Sequence, residues 1–187
     1  MTRVFIAPRN RNVEATGGIP RVVDAQCKWL PTYDIEIVDN LDSADILCVH
    51  AATWIDPRPN QRVVSHCHGV YWTDYDWGSS WYYSVNKQVL DCIKLADVTT
   101  VPSEWVANSI RRSTWTNPIV IGHGIDLDEW PAQACEPKSY ILWDKARRDV
   151  VCDPQVVNTL ANSDLNLQFK STYGDSASNV EIIGTIP

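Results

Sequence analysis

Six short runs rich in β-branched residues recur along the first two-thirds of the chain, and this recurrence constrains the fold more than anything else. They are "RVFIA" (3–7), "DIEIVD" (34–39), "DILCVH" (45–50), "QRVVSHCH" (61–68), "VTTV" (98–101) and "PIVIGHG" (118–124). Each has the length and composition of a strand. Between several of them the apolar spacing changes to that of a helix. After Gly17 and Gly18, Pro20 suits a first helical turn. Ile19, Val22, Val23, Cys27 and Leu30 then recur at helical spacing, and Pro31 predicts a stop. Residues 79–97 form the clearest helix, with Val85, Val89, Cys92, Ile93 and Ala96 on one stripe. Ser103 is placed to cap a third helix, with Glu104 against its positive end. Strands alternating with helices predict an α/β fold with a parallel sheet.

One spacing resists that pattern. Only residues 40–44 separate the second and third runs. A parallel crossover between neighbouring strands needs a dozen or more. Either a boundary is misplaced or the two strands are not adjacent.

The stretch "PAQACEPK" (131–138) carries two prolines and no periodicity, and marks a domain boundary. The first domain is read as residues 1–134 and the second as 135–187. The second contains strands in "SYILW" (139–143), "NLQFKS" (166–171) and "VEIIG" (180–184). A helix is expected after Pro154, with Val156, Val157 and Leu160 facing inward.

Charge excludes one class of partner. The chain has 16 basic and 23 acidic residues, a net charge of -7. Affinity for nucleic-acid backbones comes mainly from Lys and Arg, so no nucleic-acid partner is expected. The apolar runs fall far short of the roughly 20 residues that a membrane span needs. The start, "MTRVFIAPRN", is no signal peptide. Six cysteines are scattered without a CxxC pair. Together these predict a cytoplasmic protein without a transmembrane segment and with reduced, mostly buried thiols. Nine tryptophans against two phenylalanines suit either ligand sites or a Trp-rich core.

The richest stretch chemically is "SHCHGVYWTDYDW" (65–77). Alternation along a strand puts His66 and His68 on one face. Such a pair would suit zinc, but a structural site wants four ligands at recognisable spacing. With no second cluster in the sequence, no metal and no other cofactor is expected. His68 precedes Gly69 at the strand's carboxyl end, where ligands collect in open α/β sheets. His66 lies one pair further into the sheet and reads as a satisfied polar residue. Tyr71, Trp72, Tyr75 and Trp77 offer either a flat apolar platform for a ligand or a small core under a loop. Asp74 and Asp76 would orient hydroxyl groups of a ligand or serve as turn residues. Gly17 and Gly18 would let backbone N–H groups approach an anion, or simply turn the chain.

Four stretches, in order, resemble group-1 (family 4) glycosyltransferases of the GT-B fold. "GGIPRVV" is similar to the family's glycine loop opening the first helix. His68–Gly69 resembles its histidine at the end of a central strand. "DVTTVPSEWVANSIRR" resembles its strand followed by a Ser-initiated helix. "IVIGHGIDLDEW" resembles its "I-P-N-G-V-D-x-x-x-F" stretch, with His123 for Asn and Trp130 for Phe. The resemblance implies a Rossmann-like N-terminal domain plus the first βαβ of a second Rossmann-like domain. It implies transfer of a sugar, a hexose by type, from a nucleotide-sugar to an acceptor hydroxyl with retention of configuration. GT-B enzymes hold the diphosphate with protein cations and helix N-termini rather than a metal. His68 would be the catalytic contact to the sugar. Tyr71, Trp72, Asp74 and Trp77 would line the acceptor side, and Gly17 and Gly18 the donor phosphate. His123 would stand near the interdomain cleft.

Two departures qualify what the resemblance implies. The family's second domain carries a Gly-Arg…Lys-Gly segment on the diphosphate. Here "WDKARRDV" lacks the glycines, and Lys145, Arg147 and Arg148 supply the charge in another order. Lys145 and Arg148 are the phosphate candidates, against the alternative of a solvated basic turn. The family's Glu-x7-Glu motif, which binds the ribose, would lie beyond "VEIIGTIP". The chain is therefore expected to be truncated within its donor domain and inactive alone. A missing C-terminal half, or a partner chain in an oligomer, would complete it. The rival expectation is a non-catalytic sugar-binding or interaction module.

Overall fold

The computed structural model describes residues 1–8, 18–71, 81–130, 139–144, 155–163, 167–174 and 179–184. They form two compact units, one ending at Ile125 and one beginning at Asp126. The first unit carries β1 (Thr2–Ala7), β2 (Ile35–Ile37), β3 (Ile46–His50), β4 (Arg62–His66), β5 (Val98–Val101) and β6 (Ile119–Val120). They make one sheet in the order β2-β1-β3-β4-β5-β6. Every pairing is parallel. With α1 (Gly18–Trp29), α2 (Trp81–Leu95) and α3 (Glu104–Ser113), this is a Rossmann-like α/β sheet, consistent with GT-B.

The sheet order resolves the short connection after residue 39. β2 and β3 flank β1 on opposite sides and never pair. The link between them therefore carries no helix, only a 3-10 turn over Leu41–Ser43, whose cap is the Asn40 side chain accepting from Asp42 N–H.

Strand alternation sorts side chains between the two faces. Leu47 and Val49 of β3 pack with Val63 and with Cys92 of α2. Cys48, between them, packs with Val4, Ile6 and Val23 of α1. So α1 covers one face and α2 the other. On the α2 side Cys67, Val101 and α3's Val106, Ala107 and Ile110 complete the core with Val89 and Ile93. Full burial of a residue such as Leu47 or Ile110 contributes about 1.5–3 kcal/mol. The α2 stripe turns inward as its spacing predicts. Ser103 caps α3, its Oγ accepting from Val106 N–H at 3.3 Å.

The α-helix α1 ends at Trp29, just before Pro31 as expected, and a separate 3-10 turn follows over Leu30–Tyr33 with the proline in its first turn. One local expectation needs correction. The fourth strand ends at His66 rather than His68, although Cys67 N–H still donates to Thr100 O at 2.9 Å. Of the described tryptophans, Trp29, Trp105, Trp115 and Trp130 are exposed, whereas Trp54 and Trp143 are partly buried against the cores of the first and second units.

The second unit holds β7 (Tyr140–Trp143), α4 (Gln155–Ala161), β8 (Gln168–Ser171) and β9 (Val180–Ile182). Its strands are parallel in the order β7-β8-β9. Val157, Ala161, Phe169 and Val180 form its core. Val156 and Leu160 are exposed, not inward as expected. The helix turns Val157 and Ala161, four residues apart, to the sheet instead. No helix among the described residues is long and apolar enough to cross a membrane.

Candidate functional site

The strand order reverses between β1 and β3, and in open α/β sheets ligands bind beyond the carboxyl ends at such a point. His50 closes β3 there. Register places His66, the last residue of β4, beside His50, and Thr100 of β5 beside His66. All three lie on the α1 face. His68 follows two residues after β4, and His123 three after β6. Strands stand about 4.8 Å apart, so residues at the same level of adjacent strands become neighbours.

All four histidines of the chain meet at this point. The ring centroids of His66 lie 5.1 Å from His50, 4.7 Å from His68 and 5.2 Å from His123. Those of His68 and His123 are 5.6 Å apart. The bonding is specific. His50 Nε2 donates to the Gln26 side-chain carbonyl of α1 at 2.9 Å. That tautomer leaves His50 Nδ1 to accept from His68 Nε2 at 3.1 Å. His66 Nδ1 shares a 2.7 Å hydrogen bond with the Thr100 hydroxyl. Its Nε2 shares a 2.9 Å bond with His123 Nε2. Among the described residues, His68 Nδ1 has no hydrogen-bond partner.

Burial and mutual repulsion keep His50, His66 and His68 neutral. Burial comes first for each, followed by the positive charge that neighbouring imidazoles would carry. His50 is pushed down to about 3, and His66 and His68 to about 4. Burial also pushes the Cys48 thiol, whose sulfur lies 3.7 Å from His50 Nε2, up to about 12. It is an inert thiol at neutral pH.

The turn after His68 depends on Gly69. Its φ is +128°, which residues with a Cβ rarely adopt. An added Cβ would meet nothing within 4 Å, so the strain is in the backbone alone. Gly69→Ala is expected to cost about 1–3 kcal/mol, read as a lower denaturation midpoint. An unchanged midpoint would mean that the turn relaxes freely.

The other sequence candidates divide. Gly18 opens α1. Tyr71 is clamped through its backbone: its N–H donates to Asn86 Oδ1 and its carbonyl accepts from Asn86 Nδ2, both at 2.9 Å. Its ring packs 4.6 Å from that of the buried Tyr82, as in a small core under a loop. Glu104 pairs with Arg111 at 3.0 Å on α3. Gly17, Trp72, Asp74, Tyr75, Asp76, Trp77, Lys145, Arg147 and Arg148 lie outside the described residues.

Sequence reasoning missed His50. The signal was available: "DILCVH" ends on a histidine as "RVVSH" does, and two adjacent strands ending alike place both side chains at one level. His66 was underrated. It is not a bystander inside the sheet but the centre of the cluster, because β4 ends on it.

None of the curated proteins compared matches the chain. A family model does: that of Glycosyltransferase Family 4 covers residues 3–129, the whole six-stranded sheet and the four histidines with it. A match of that extent, over a parallel sheet of the expected kind, makes this chain a member of glycosyltransferase family 4.

Proposed function

We propose that the chain supplies the acceptor-side half of a retaining, hexosyltransferase-type site. A sugar passes there from a nucleotide-sugar to an acceptor hydroxyl. The observation that carries this reading is His68 at the carboxyl end of the sheet. Its Nε2 is committed to His50, while Nδ1 has no partner among the described residues. With its Nε2–H committed to His50, the neutral imidazole offers the Nδ1 lone pair, which can accept from a sugar hydroxyl. It can also answer charge that develops at the anomeric carbon. Gly18, which opens α1, and Gly17, before it in the sequence, would meet the donor phosphate. Lys145 and Arg148 would offset the leaving diphosphate, and Tyr71, Trp72, Asp74 and Trp77 would face the acceptor. The domain division at residues 134 and 135 follows from the same reading, as does a cytoplasmic setting.

No two glutamates of the chain stand in the Glu-x7-Glu spacing. Ribose binding then has to come from other residues, and the 187-residue chain by itself is expected to turn over no donor. The test compares the chain alone with the chain joined to a donor-binding domain that carries the motif. Both are incubated with labelled nucleotide-sugars and an oligosaccharide mixture. Retaining transfer by the joined enzyme alone is the expected result. Enzyme-like turnover by the isolated chain would overturn the division of labour. Saturable saccharide binding by both, without turnover, would favour a non-catalytic binding module.

A further inference from the structure

We propose that His50, His66 and His68 bind one divalent transition-metal ion of the zinc class, with His123 placed as the fourth ligand. This inference holds whether or not the chain transfers sugar. The sequence expectation of no metal rested on one same-strand pair. The fold removes that premise by bringing in His50 from β3 and His123 from the segment after β6.

Geometry comes first. One ring nitrogen from each of His50, His66 and His68 lies within 4.8 Å of the others. On a tetrahedral zinc with bonds of about 2.0–2.1 Å, ligand nitrogens stand roughly 3.3 Å apart. Two gaps are already that short: His50 Nδ1 to His68 Nε2 at 3.1 Å, and His66 Nε2 to His123 Nε2 at 2.9 Å. His68 and His123 sit on irregular backbone beyond their strands, so their rings can turn to close the rest.

The outer nitrogens supply the second argument. Histidines on a metal almost always engage their other ring nitrogen with a polar partner, which fixes the ring. The two strand-anchored rings are held this way. His50 Nε2 is bound to Gln26 Oε1 at 2.9 Å, and His66 Nδ1 to Thr100 Oγ1 at 2.7 Å. Both inward nitrogens then point at other histidines. Binding needs no net proton release: His68 moves its proton to Nδ1, whichever of His66 and His123 holds the proton between their Nε2 atoms moves it to its own Nδ1, and each ring then presents a lone pair inward.

Chemistry selects the ion. The described cluster is all imidazole, with no carboxylate bonded to it. Imidazole suits zinc, cobalt, nickel and copper, whereas magnesium and calcium take oxygen ligands. Four basic rings packed together, using every histidine in the chain, serve an apolar core badly. A bound ion would clip the ends of β3 and β4 to the segment after β6. It would leave the His68 Nδ1–H pointing outward as a donor.

The test uses the untagged 187-residue chain after chelator treatment. Cobalt(II) is titrated and followed by its visible spectrum, and zinc is titrated by calorimetry. One ion per chain with a four-coordinate cobalt spectrum is expected. His50→Gln and His66→Gln should each weaken binding by about 100-fold or more. Gln26→Leu and Thr100→Val, which touch only the outer nitrogens, should weaken it by roughly 10-fold. His123 is exposed, so His123→Gln should keep the fold, seen by circular dichroism, and change the cobalt spectrum. Absence of stoichiometric zinc binding by the unaltered chain overturns the proposal. So does a cobalt spectrum that His123→Gln and Gln26→Leu both leave unchanged.

Discussion

In the presence of chelator, the protein is expected to lose stability steeply as the pH falls from about 6.5 towards 4. The folded values of His50, His66 and His68 stand near 3, 4 and 4, against 6.5 for a free histidine. The unfolded chain therefore takes up protons first. Stability from this source is complete above pH 6.5. It falls through the window in which the unfolded histidines are charged and the folded ones are not. Each extra proton on the unfolded chain steepens the loss by about 1.4 kcal/mol per pH unit, so three together approach roughly 4. The carboxylate most clearly shifted among the described residues is Asp45, held down by hydrogen bonds from Arg3. Its stabilisation is lost only as pH drops below the ordinary carboxylate value, so the two effects separate. Urea midpoints measured at half-unit steps read the slope. His50→Gln should flatten it by about one proton. A level profile between pH 6.5 and 4 would mean that the rings titrate freely and are not packed together.

Much of this was legible in the sequence because it is local. Strand runs, the α2 stripe and the Ser103 cap depend on residues a few positions apart. The sheet order does not. Only pairing shows that β2 and β3 straddle β1, which the five-residue gap could signal but not decide. The site divides in the same way. His66 and His68 are two residues apart, so their shared face could be read from alternation. His50 and His123 join them across 18 and 57 residues or similar separations, through the order of neighbouring strands. Length also misled: a helix as short as α4 has room for one inward pair, so three apolar residues could not all face the core.

His66 and His68 are expected to separate in their effects, and the structure refines how. His66 is 4% exposed, and both its nitrogens are engaged. His66→Ala removes a buried ring and leaves the Thr100 hydroxyl without its partner. Orphaning a buried polar group costs about 1–3 kcal/mol, and the cavity adds to it. A midpoint loss in that range or above is expected from chemical denaturation. His68→Ala is not the clean probe of function that a strand-tip residue would be. It would orphan Nδ1 of the fully buried His50. His68→Gln is better, because the amide N–H can still donate to that nitrogen. In the joined enzyme described above it should keep its denaturation midpoint to within about 1 kcal/mol, as replacements that keep the local bonds do. Its turnover should fall by on the order of 10²-fold, the usual loss when one well-placed polar contact to a developing charge is removed. The measurement is kcat on the preferred donor with the protein held in chelator, so that metal occupancy does not enter. If His68→Gln retains full kcat, the imidazole does not touch the reacting sugar. The histidine before Gly69 would then serve the fold through His50 alone.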